Sequence, residues 1–96
     1  MMRVSSMKPM FTPASVRKSL IASGWTLHDT HRSISTGGNY EVWVHGEDKW
    51  TMGYASVPMT DEYIPRFAEE VLSNVAKHYN LSQEQVYVKL MKGEQI

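Results

Sequence analysis

Hydrophobic and polar positions change period three times along this chain. Thr12-Pro13 has the form of a helix N-cap followed by proline in the first turn, and Phe11 with Val16 has the spacing of a hydrophobic staple across it. Val16, Leu20 and Ile21 then define one apolar face, with Arg17 and Lys18 off it, and Gly24 supplies the left-handed stop. An extended run is expected from Trp25 through His28 to Ile34, closed by the turn Thr36-Gly37-Gly38-Asn39. Tyr40 to His45 alternates strictly, Tyr40, Val42 and Val44 against Glu41, Trp43 and His45. After the polar turn Gly46-Glu47-Asp48-Lys49, Trp50, Met52 and Tyr54 alternate with Thr51, Gly53 and Ala55 as far as Val57-Pro58. These runs predict a three-stranded antiparallel meander.

The period then returns to that of a helix. Ile64, Phe67, Ala68, Val71, Val75 and Tyr79 form a stripe, Pro65 belongs in the first turn, and Asn80 is a left-handed stop with Leu81 as its apolar contact. For the last segment two readings compete: Ser82 to Gln85 has capping chemistry, yet Val86, Val88 and Leu90 alternate with Tyr87, Lys89 and Met91. A fourth strand is the expectation, with a helix as the alternative. The fold class expected is α+β, a two-layer sandwich in the order α-β-β-β-α with that C-terminal strand. Residues 1–10 are expected as a flexible N-terminal arm, 11–92 as a single domain and 93–96 as a tail.

Composition narrows the chemistry. A chain of 96 residues with 42% hydrophobic content supports one modest core. The absence of cysteine removes disulfides and thiolate chemistry and fits a cytoplasmic setting. No run is long and apolar enough to span a bilayer, so no membrane partner is expected. The formal net charge of zero argues against broad phosphate attraction, although the charges segregate. Through Ile34 five basic residues face Asp29 alone, and from Glu41 to Glu70 seven carboxylates face Lys49 and Arg66.

Candidate chemistry is sparse. His28, His31 and His45 would approach one another across paired strands, but their spacing matches no metal-ligand pattern, and His28 and His31 fall on opposite faces of an ideal strand. His78 reads as solvent-facing near a helix C-terminus. The Gly-rich stretch Ser35 to Asn39 joins two strands and leads into no helix, which makes it a hairpin and not a phosphate loop. No catalytic residue, metal site or cofactor is expected. Tyr40, Trp43, His45 and Trp50 are the candidate contacts on the sheet, with Trp43 as anchor if it stands opposite the helices; Trp25 and Trp50 are otherwise expected to pack in the core.

The order of elements, with Leu20-Ile21-Ala22-Ser23-Gly24-Trp25, Ser56-Val57-Pro58, Ile64-Pro65 and Asn80-Leu81-Ser82, resembles the double-stranded-RNA-binding-like fold of HicA-type ribonuclease toxins from about Ser15 to Ser82. That resemblance implies a catalytic histidine after a glycine at the start of the second strand. Here the stretch is Gly37-Gly38-Asn39-Tyr40-Glu41, without one, so ribonuclease chemistry loses its imidazole. The reading expected is a small non-enzymatic module that binds a protein, resembling accessory proteins of phages and plasmids such as anti-CRISPR inhibitors of host defence. The alternative is a HicA-like RNA binder or ribonuclease using Arg17, Lys18, Arg32 and His31. Pairing of two copies along the Val86 to Met91 edge is a further expectation, since only Lys89 blocks it.

Overall fold

The computed structural model describes residues 11–33 and 38–96. The expectations for the N-terminal arm and for Ile34 to Gly37 lie outside these residues. The elements run α1 (Pro13–Ala22), β1 (Thr26–Arg32), β2 (Asn39–His45), β3 (Gly53–Pro58), α2 (Pro65–Tyr79) and α3 (Gln83–Lys92). The strands form one antiparallel sheet in the order β1-β2-β3, which makes the α+β class plain.

Local chemistry sets the helix ends. The Thr12 hydroxyl accepts the Ser15 N–H at 3.2 Å, and Ser15 Oγ accepts the Thr12 N–H at 3.0 Å, a reciprocal cap that starts α1. Gly24, at φ +85°, stops it. Pro65 opens α2 as expected, and Asn80, at φ 56°, closes it while the Leu81 N–H reaches back to the Ala76 carbonyl at 2.9 Å.

The last element corrects the expected strand. Ser82 and Gln85 form a second reciprocal cap, with N–H to oxygen distances of 3.2 and 3.0 Å, and Gly93 ends the helix in the left-handed region. Val86 and Leu90 are fully buried while Val88 is exposed, the signature of period 3.6 rather than 2. With no strand at Val86 to Met91, the expected edge for pairing two copies is absent. Nor do the final residues hang free: Ser19 Oγ donates to the Glu94 carbonyl at 2.5 Å, and the Ile96 N–H donates to Ser23 Oγ at 2.9 Å.

The core lies between the helices and one sheet face. Val16, Leu20, Trp25, Ala55, Val57, Val71, Leu72, Val75, Val86 and Leu90 form it, with Phe11 set edge-on to Tyr63 and Tyr87 at 5.2 and 5.5 Å between ring centres. Ile21, expected on the buried face of α1, is exposed; that face is made by Pro13, Val16, Ser19 and Leu20. The sheet face of Glu41, Trp43 and His45 is the covered one: Trp43 belongs to the core, Glu41 meets Arg17 of α1, and His45 meets His78 of α2. β1 is exposed along its whole length and carries a bulge between Leu27 and Asp29, which leaves His28 without a residue opposite it on β2.

Candidate functional site

The candidate contacts separate into two groups. Trp43, expected as an exposed anchor, is 7% exposed, and its indole N–H donates to Glu41 Oε1 at 3.1 Å. It is a core residue, because helices cover its face of β2. Trp50, expected in the core, is 86% exposed. The chain turns before β3 begins: Asp48 Oδ1 accepts the Trp50 N–H at 2.9 Å and the Asp48 carbonyl accepts the Thr51 N–H at 3.0 Å, which holds residues 48–51 in a turn and Trp50 in solvent.

The basic candidates also divide. Arg17 Nε bonds Glu41 Oε1 at 2.6 Å and its terminal nitrogen donates to the Pro58 carbonyl at 3.0 Å, so this guanidinium ties α1 to the sheet. Lys18 is exposed, its methylene stem lying beside Gly93. His31 lies 3.4 Å from Asp29 and tilts against Tyr40, which in turn meets Phe67 edge-on at 5.5 Å. Arg32 is exposed and lines a groove with Tyr40, Ser56 and Phe67. The four therefore do not present one cationic surface.

The expected grouping of His28, His31 and His45 does not form. His45 is paired instead with His78, Nδ1 to Nε2 at 2.9 Å, across β2 and the last turn of α2. His78 is thus half-buried and engaged, where a solvent-facing residue was expected. Trp25 stacks on His45 with ring centres 5.4 Å apart and planes at 23°, and its indole N–H donates to the Tyr79 hydroxyl at 2.9 Å. Gly53 makes the approach possible: a β-carbon there would come within 2.7 Å of His78 and 2.8 Å of Trp25. Burial, and after it the His45 ring, push the His78 pKa below its ordinary value, while a hydrogen bond to the Thr51 backbone opposes them. With both rings neutral, the arrangement that satisfies both contacts has His78 donating to the Thr51 carbonyl and accepting from His45 Nδ1–H.

Among the described residues neither ring bonds a carboxylate or a hydroxyl nucleophile, and no three metal-ligating side chains converge. The pair therefore fixes the end of α2 to the sheet and to the 48–51 turn. What that placement creates is an open groove of about 410 Å³ walled by Trp50, Met52 and Tyr54 on one side and Asn74, Lys77 and His78 on the other. Tyr54 is 46% exposed, and Lys49 Nζ lies 5.8 Å from the Trp50 ring centre. Asn74, Lys77 and His78 carry no sequence signal of a site, because only the packing of α2 brings them to the turn.

Compared with known proteins, the chain matches no family model, no curated protein and no solved structure. Among the described residues no helix is long and apolar enough to cross a membrane.

Proposed function

We propose that this chain is a non-enzymatic binding module that docks a partner protein in the groove between β3 and the C-terminal half of α2. One observation carries the reading: Trp50 is 86% exposed at the rim of a groove it lines with Tyr54. A tryptophan in water forfeits the burial that would stabilise the fold, and tryptophan and tyrosine dominate the energetics of protein interfaces. The turn at Asp48 fixes the backbone under Trp50, so little ordering is needed on binding. A module that acts by occupying a partner's surface suits a mobile-element accessory protein or an inhibitor of host defence.

The test is capture from bacterial lysate by the tagged chain, with and without ribonuclease, beside Trp50→Ala. The expected result is a discrete protein that survives ribonuclease and is lost with the variant, at a cost of about 2 kcal/mol or more in a direct titration. Recovery of nucleic acid without such a protein would replace this reading with the RNA-binding one.

A further inference from the structure

We infer that the segment received in the Trp50 groove is an acidic peptide that sets a carboxylate against Lys77 and an apolar or aromatic side chain against Trp50 and Tyr54. This rests on the reading of the groove as a protein-docking site and names the chemistry of what it docks. The Thr51 and Tyr54 hydroxyls and the His78 ring, which is bonded to His45, line the groove together with three further polar groups: the Trp50 indole N–H, the Asn74 side-chain amide and the Lys77 ammonium. None of these last three has a hydrogen-bond or ion-pair partner among the described residues. All three can donate, and only Asn74 can also accept.

Three of the cations elsewhere give a contrast. Arg17, Arg66 and Lys89 meet Glu41, Glu70 and Glu94 within 4 Å, whereas among the described residues no carboxylate lines this groove. Asp48, the acid nearest in sequence to Trp50, already accepts the Trp50 backbone N–H. A ligand that completes the site therefore brings acceptors and one negative charge, with an apolar side chain for the exposed faces of Trp50 and Tyr54.

A nucleic-acid strand fits less well. Tracking a phosphate backbone takes a succession of cations, and among the described residues Lys77 is the one lysine or arginine on the wall. Lys49 Nζ lies 5.8 Å from the Trp50 ring centre and follows Glu47 and Asp48 in sequence, and His78 is held toward its neutral form by burial and His45. An aromatic platform beside a single cation suits an apolar peptide side chain next to one carboxylate.

The full-length tagged chain would be applied to an array of peptides in three matched classes: Asp/Glu interleaved with Phe, Trp or Leu; the same peptides with Asn/Gln; and the same with Lys. A fluorescent oligouridylate serves as the nucleic-acid probe. Wild type is expected to hold the acidic class about tenfold more tightly than its amide counterpart at low salt. Lys77→Glu should shift that preference to the lysine class, and Trp50→Ala should lose all three. Equal retention of amide or lysine peptides, still lost with Trp50→Ala, would overturn the acidic preference and leave the docking site standing. Binding of oligouridylate alone, or no peptide binding that depends on Trp50, would overturn both. Both substitutions are at exposed positions, and unchanged thermal unfolding of each variant ensures that a loss reports the groove and not the fold.

Discussion

At its first turns α2 sets Phe67 against Tyr40 and lies close to Tyr63, whose hydroxyl donates to the Ser56 carbonyl; at its last turn it sets His78 against His45 and Trp25. Each end borders a groove, and the two are nearly equal in size, about 390 and 410 Å³. Size therefore does not distinguish them; the use of polar groups does. At the first end Arg17 meets Glu41, Arg66 lies 3.9 Å from Glu70, and Arg32 and Ser33 also have partners. Burial pushes the Tyr63 phenol far up, which keeps it a donor. At the second end Trp50, Asn74 and Lys77 have no such partners among the described residues. Nearly equal concavities thus differ in their charged groups: the guanidinium groups at the first end are engaged, whereas Lys77 at the second has no ion-pair partner among the described residues.

The sharpest way to break this contrast is at the first end. Phe11 is 1% exposed against Tyr63 and Tyr87, so Phe11→Ala should cost about 4 kcal/mol, read as a lowered midpoint of urea unfolding. Glu41 accepts from both Arg17 and Trp43, and its side chain is 15% exposed. Glu41→Ala leaves those donors without their acceptor and should cost about 2 kcal/mol in the same measurement.

The histidine end should answer to pH instead. Because the His78 pKa in the fold lies below its ordinary value of 6.5, the unfolded chain takes the proton first as pH falls. Stability from this group is complete above pH 6.5 and is lost as pH drops through the folded value. Urea midpoints from pH 8 to pH 5 should show that decline, and His78→Gln should flatten it; an identical slope in the variant would assign the pH response elsewhere. The smallest effect belongs to Trp50→Ala, which should change unfolding by no more than about 0.5 kcal/mol, since the ring is in water. A larger loss would move Trp50 into the fold and remove it from the candidate site.

Much of the architecture was legible locally. The Thr12 and Asn80 helix ends, Pro65 in a first turn and the alternation through β2 each depend on groups a few residues apart. The last element was misread although its local signals were present. Val86, Val88 and Leu90 satisfy period 2, and Val86 with Leu90 also satisfies the four-residue spacing of a helix, so alternation alone did not decide between them. Exposure of Val88 does, together with the Ser82–Gln85 cap.

The candidate site was less legible, since it depends on which side of a strand is covered and on what a helix end meets. Alternation correctly divided Trp43 from Val42 and Val44, but the two faces of β2 are equivalent until α1 and α2 choose one. That choice buried Trp43, and the turn at Asp48 left Trp50 outside.

By itself the sequence determined the elements up to α2, their antiparallel meander and a chain without cysteine or net charge, because caps, turns and periodicity act over a few bonds. Tertiary structure alone decided that His45 meets His78, that Lys77 and Asn74 share a groove with Trp50, and which tryptophan faces water. Those outcomes join residues far apart in the chain, and packing against the sheet, not local preference, sets them.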